Sequence, residues 1–416
     1  MASQTDSVSI FAEGTFEEQI LELANYVARS HPEEERAAFI APFQDALKVE
    51  EGQKPIEEDQ EKRKSVFKSV LQQVNGLGDG SEKEIEGFFN LLYAHLFSLF
   101  PVSSPEGNEL LSGLLQTVSS SSAERSTIAY RVLSNLFNSL PRTSPLRKLV
   151  YSTLLQLAAA NDDLDGLQLS KSEVTKWLSE WDISDDEKSS FLKSLVDAFA
   201  KAGQPVQSYQ YSLVYVQELP PSSDAAKSAA VQLISDALRL PDTFDFDSLF
   251  KLDAVVAAKD HELFSLLQVF LNGGLAEFSA WQSSHGGALE KYNLDLAQLQ
   301  RKIRLLALAS LSSQYVGQQL SYAKIAETLQ VEVSEVEKWV IDVIRAGLVW
   351  GKLSQNTQSL FVTRATSRTF GREQWELLEK RLVAWKSGLA GVLEVVANAK
   401  RVGGHAPAQQ AQAASA

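Results

Sequence analysis

The chain contains no cysteine. That excludes disulfides, thiolate zinc ligands and a cysteine nucleophile together, and it fits a reducing, cytoplasmic setting. Nowhere does it offer the roughly 18 to 20 uninterrupted apolar residues of a membrane span, so no membrane partner is expected. Residues Met1 to Asp6 carry neither a basic stretch nor an apolar one, which gives no sign of secretion. Positive charge is short as well: 39 Lys and Arg face 53 Asp and Glu, a net charge of −14. Such a chain repels phosphate at long range, which argues against DNA or RNA as a primary ligand.

The residue groupings of known chemistries are missing too. The five histidines, His31, His95, His261, His285 and His405, share no ligand spacing. His261-Glu262 starts like a zinc-protease H-E-x-x-H, but Ser265 stands where the second histidine belongs. The glycines from Gly76 to Gly80 lack both the dinucleotide fingerprint and the lysine of a phosphate loop, and no G-x-S-x-G elbow occurs. The expectation is therefore no enzyme, no metal, no cofactor and no small-molecule substrate.

What the sequence has in abundance is helical periodicity. Phe16, Ile20, Leu23, Ala24 and Val27 share one face, and Thr15 with Glu18 has the spacing of a capping box. Ser121/Glu124, Ser170/Glu173 and Ser184/Glu187 repeat that spacing before further apolar stripes. One stripe runs Ala129, Val132, Leu133, Leu136, Phe137, Leu140; another runs Val174, Trp177, Leu178, Trp181. Ser144-Pro145 reads as an N-cap with proline at the first helical position, ahead of Leu149, Val150, Leu154 and Leu157. Short polar turns between such helices predict stacked antiparallel pairs. Trp177, Trp181, Trp339 and Phe370 are expected in cores. Arg142, Arg147 and Lys148 form the clearest local basic group, read as solvated charges at a helix end or, less readily, as a contact to RNA.

The expected organisation is a helical segment over 1–49, a charged linker over 50–64 and helical repeats over 65–205. The turn at Ala200 to Pro205 is taken as a domain boundary. Residues 206–314 resume the helical pattern. Between 315 and 364 the pattern changes to helix, turn, helix, hairpin, the order of a winged helix. Its second helix is expected to be capped by Ser334 and Glu337, to end at Gly347, and to lead into strands at Leu348–Leu353 and Ser359–Arg364. From 331 to 345 that winged helix carries Glu332, Glu335, Glu337 and Asp342 against Lys338 and Arg345, so a net −2 would face phosphates, the wrong sign for reading DNA. The Ser359–Arg364 strand, with Leu360 and Val362, is the candidate edge for pairing with a neighbour's strand.

From 372 to 402 one long helix is expected. Trp375, Leu378, Leu382, Trp385, Leu389, Val392 and Val396 step by 3 and 4 in strict alternation, the 3.5-residue repeat of a helix–helix seam. These seven, with Leu360 and Val362, are the candidate partner-contact residues. Residues 403–416 are low-complexity, and truncation after Val402 is expected to leave thermal stability and complex recovery nearly unchanged, because the removed tail has no large apolar residue to anchor it.

Helical repeats running into a C-terminal winged helix resemble the PCI domain of large scaffold assemblies. Four stretches narrow this: Tyr130 to Phe137, Val174 to Trp181, Val340 to Arg345 and Ser367 to Trp375 look like the corresponding segments of the subunit m family of eukaryotic translation initiation factor 3. The resemblance spans about residues 125 to 390. It implies an all-α fold of right-handed stacked helical repeats followed by a C-terminal winged helix, with the PCI domain over 206–371. It also implies a role in small-ribosomal-subunit binding, preinitiation-complex formation and mRNA recruitment. PCI–PCI contacts with sister subunits and a shared bundle of C-terminal helices come with it. A PCI scaffold of the COP9 signalosome or the proteasome lid is the alternative.

Overall fold

Side-chain oxygens start several of the helices. The computed structural model of the chain describes residues 14–48, 54–101, 104–369 and 371–403. Phe370, most of the low-complexity tail, residues 50–53 of the expected linker and the opening residues lie outside them. Thr15, Ser170 and Ser184 each form a complete capping box with the glutamate three residues on. Each satisfies N–H groups that a helix start leaves open.

The chain divides into two units, 1–236 and 237–416, with the division falling inside one helix. In the first unit the helices are α1 (Phe16–Ala28), α2 (Glu33–Leu47), α3 (Gln60–Leu71), α4 (Glu82–Leu99), α5 (Pro105–Ser119) and α6 (Ser126–Ser139). They are followed by α7 (Leu146–Ala160), α8 (Lys171–Glu180), α9 (Asp185–Lys201), α10 (Pro205–Glu218) and α11 (Asp224–Arg239). Consecutive or next-nearest helices pack on one another, and one continuous apolar core runs from Phe16 to Val214. The described residues up to 120 therefore share the core of the later repeats.

Four expectations are corrected in this unit. Helix α3 starts at Gln60, within the stretch taken as a linker, and Ile56 before it is buried. Its Asp59 side chain accepts the Lys62 N–H, so a charge-rich segment is anchored by its own cap. The turn at Ala200 to Pro205 is no boundary, because α9 and α10 on either side of it form the most extensive helix pair in the chain. The Arg142, Arg147, Lys148 group is neither a solvated cluster nor a basic patch. Arg147 is buried, donates from Nε to the Phe137 carbonyl at 3.1 Å and stacks on the Phe137 ring at 4.3 Å. Lys148 pairs with Glu187 at 3.0 Å. Leu149, assigned to the apolar stripe of α7, is exposed. Ser144 does act as a cap: its hydroxyl accepts the Leu146 N–H at 3.3 Å, although α7 begins one residue after the proline.

The second unit holds α12 (Asp247–Phe250), α13 (Asp253–Ala257), α14 (Glu262–Asn272), α15 (Leu275–Ser284), α16 (Ala288–Lys291) and α17 (Leu296–Gln314). Then come β1 (Gln319–Ser321), α18 (Tyr322–Leu329), α19 (Val336–Arg345), β2 (Val349–Ser354), β3 (Ser359–Ala365) and α20 (Arg372–Gly403). The elements from β1 to β3 follow the order of a winged helix, and Gly347 ends α19 in the left-handed conformation that glycine adopts freely. His261, read as the start of a failed zinc motif, is a helix cap: its Nδ1 accepts the Leu263 N–H at 3.2 Å.

The sheet is antiparallel with the order β1-β3-β2. Strand β3 is central, so it has no free edge to offer over Ser359–Phe361, and Leu360 and Val362 are fully buried in the winged-helix core. Their expected role as partner contacts is corrected: each packs inward against the helices. β2 carries a register irregularity at Trp350/Gly351. A methyl group added to Gly351 would lie 2.5 Å from the Phe361 carbonyl oxygen and 2.8 Å from a Leu360 methyl. Gly351→Ala should therefore lower stability by about 2 kcal/mol in denaturant titration, since backbone must shift to admit it. Gly388→Ala on α20 meets open space and should raise helix content by circular dichroism, worth about 1 kcal/mol of helix propensity.

Candidate partner-binding site

Arg368 sets where the last helix begins. It is largely withdrawn from solvent; its Nε donates to the Leu306 carbonyl at 3.0 Å and its Nη1 to the Gly273 carbonyl at 2.6 Å. The second of these acceptors lies at the C-terminal end of α14, where unpaired carbonyls welcome a cation. Burial lowers this guanidinium to about 10, still charged at neutral pH. The chain leaving the sheet is thereby fastened, and α20 starts four residues later.

Helix α20 then runs 32 residues with its apolar side chains in solvent. Six of the seven seam residues are more than two-fifths exposed, from Leu389 at 45% to Trp385 at 67%, and Leu378 is 37% exposed. Arg381 ties the helix back to its unit, donating to the Ser313 carbonyl at 3.1 Å. Leaving so many large apolar groups in water is costly: each withdrawn from it contributes roughly 1.5–3 kcal/mol.

Counting in heptads missed part of this surface. Leu377, Val383, Leu393 and Val395 are exposed as well. At 100° per residue, Leu389, Val392, Leu393, Val395 and Val396 together cover an arc of about 160°. A single coiled-coil neighbour contacts a narrower stripe, so the C-terminal half of α20 has an apolar face wide enough for more than one helix. The sequence signal was available in the Val392-Leu393-x-Val395-Val396 run, which a strict 3–4 alternation passes over.

By length and composition Gln374–Arg401 would also be long and apolar enough to cross a membrane. Lys386 and Glu394 interrupt that stretch, and a charged side chain near a bilayer centre costs about 2.5–3.5 kcal/mol.

The winged helix offers a second surface. Trp350 and Phe361 are exposed on the sheet, and the Arg364 guanidinium sits 4.5 Å from the Trp350 ring centre. β1 and β2 each keep one edge that no strand of the described residues pairs. On α19, where a DNA reader would carry amides and bases, Ile341 is exposed and Asp342 lies 3.8 Å from Arg301. The Ser334/Glu337 capping box does not form. A 3-10 turn over Val333–Glu335 leads into α19, and Glu337 accepts from the Tyr322 hydroxyl at 3.4 Å instead.

Comparison with known proteins bears on both surfaces. The family model for the PCI domain matches residues 284–364, a span starting later than the expected 206. The model described as eIF3 subunit M, C-terminal helix, matches residues 368–396, the stretch from the Arg368 anchor through the seam. Over nearly the full length the chain is similar to proteins called eukaryotic translation initiation factor 3 subunit M. That of Phaeosphaeria nodorum is 32% identical over 93% of this chain and 88% of the relative. That of Aspergillus terreus is 34% identical, covering 94% and 87%, and that of Coccidioides immitis 32%, covering 96% and 90%. The similarity thus reaches well before residue 125, where the sequence stretches had placed its start.

Proposed function

The chain belongs to the family of eukaryotic translation initiation factor 3 subunit M, and from that membership we propose that it is a non-catalytic scaffold which α20 holds among the other subunits of the factor. The observation that carries this is the apolar surface of α20, exposed along its whole length and wide enough for more than one neighbouring helix. A helix of this kind is marginal in water alone and gains most of its stability from packing.

In this role the protein works in the cytoplasm and contributes to small-ribosomal-subunit binding, preinitiation-complex formation and mRNA recruitment through the assembly, with no chemistry of its own. The open edges of β1 and β2, with Trp350 and Phe361 beside them, are the surfaces through which the winged helix meets a sister PCI domain. The net −2 on residues 331–345 speaks against DNA there, and Lys386 with Glu394 against a bilayer around α20.

Affinity purification of the full chain from cells, with identification of what accompanies it, tests the proposal. Initiation-factor subunits and small-subunit ribosomal proteins are the expected companions. Cullins or proteasome subunits in their place would move the chain to the signalosome or the lid, and recovery of the chain alone would remove the scaffold role.

A further inference from the structure

A cavity of about 530 Å³ opens in the first unit, lined by α6, α7, α8 and the 3-10 turn Leu164–Leu167. Its aromatic walls are Tyr130, Phe137, Tyr151 and Trp177. The last three pack edge-on or tilted to one another, with ring centres 4.8–5.4 Å apart. Such a cluster needs no opening for its own stability, yet Trp177 is only half-buried and faces the cavity.

Two polar features point to what the cavity takes. The first is Tyr151, whose side chain is 6% exposed and lines the cavity. The second is Glu173. Both hydrogen bonds to its carboxylate, from the Ser170 N–H and hydroxyl, fall on Oε2, and the residue lines the cavity. The neighbouring backbone turns through Gln168, held at φ 47°, and the segment from Asn161 to Glu173 carries Asp162, Asp163, Asp165 and Glu173 against Lys171. That local excess of negative charge repels phosphate and attracts cations.

We propose that this aromatic cavity with Glu173 at its wall binds an arginine side chain from an extended basic segment of a partner protein. A guanidinium is planar, stacks on indole and phenol faces, and donates in a fork to a carboxylate oxygen and a hydroxyl together. Trp177 and Tyr130 supply the faces, Glu173 Oε1 the charge, and the Tyr151 hydroxyl the second acceptor. The site lies in the first unit and is independent of α20, so it adds a second contact to the scaffold role without resting on it.

The test uses the full chain labelled with 5-fluorotryptophan, in which the Trp177 resonance is assigned by Trp177→Phe. N-acetyl-arginine methylamide is titrated against it and followed by fluorine NMR. The expected result is a saturable shift at Trp177 that the neutral citrulline analogue does not produce. Glu173→Gln keeps a capping-box residue at that position, so α8 should remain folded, and it should weaken binding about tenfold, the scale of one charge-assisted hydrogen bond. Tyr151→Phe should weaken it several-fold. The proposal is overturned if Trp177 does not respond, if citrulline binds equally, if Glu173→Gln binds as the parent does, or if uridine monophosphate moves the resonance in place of arginine.

Discussion

Replacing Leu382 and Leu389 by aspartate together should release the protein from its complex while its own helical content and melting stay close to the parent's. Both side chains are already in solvent in the isolated chain, at 52% and 45% exposure, so the folded chain loses little by the change. In the proposed bundle the same positions would be buried. Removing a packed leucine costs about 2–5 kcal/mol, and a carboxylate placed in the seam adds its desolvation. Two such positions cost at least about 4 kcal/mol, roughly a thousandfold in affinity. Co-purification measures the release, and circular dichroism the retained fold. Assembly that survives the double change would mean that α20 does not carry the partner contact. Leu393→Asp alone separates a two-helix seam from a wider bundle: it should also release the protein, because Leu393 lies off the seam but within the apolar arc.

The contrast between Leu382 and Leu360 shows what could be taken from sequence and what could not. Alternation of 3 and 4 marks a helix face wherever it sits, and α20 follows it across the described residues. A strand's place in a sheet is not encoded locally. β1 is three residues long, too short for an alternating pattern, yet its pairing with β3 turns the expected edge strand into the central one. Leu360 and Val362 became core because they lie on the face of β3 turned to the helices, while the pairing with β1 removed the expected edge. The capping boxes divide in the same way. At Thr15, Ser170 and Ser184 the box forms. At Ser121 and Ser334 a 3-10 turn enters the helix first, over Ala123–Arg125 and Val333–Glu335, so the serine and glutamate never reach the required spacing along the axis. Arg147 was legible as a charge but not as a buried one, because its acceptor, the Phe137 carbonyl, belongs to the preceding helix.

Lys302 should make the stability of the second unit rise with pH above neutrality. The side chain is fully buried in α17, and its Nζ donates to the Ala237 and Leu238 carbonyls at 2.7 and 3.1 Å, with the Phe246 ring 5.6 Å away. Those carbonyls belong to the last turn of a helix, where no intrahelical donor reaches them. Burial pushes the amine down to about 7, with Asp242 opposing the shift. A neutral amine has two N–H groups, the number these two carbonyls accept. Between about 7 and the ordinary lysine value the unfolded chain holds a proton that the folded chain does not, so stability increases with pH across that window, by at most about 1.4 kcal/mol per unit. Below pH 7 both states are protonated and this contribution is flat. Lys302→Met retains most of the volume but cannot titrate, and it should remove the slope between pH 7 and 9 in thermal unfolding. Lys302→Ala should in addition cost about 2–4 kcal/mol at every pH, because it leaves a cavity and two carbonyls without donors. A parent slope equal to that of Lys302→Met would mean that the amine stays charged in the folded chain and that the two carbonyls, rather than burial, decide its protonation.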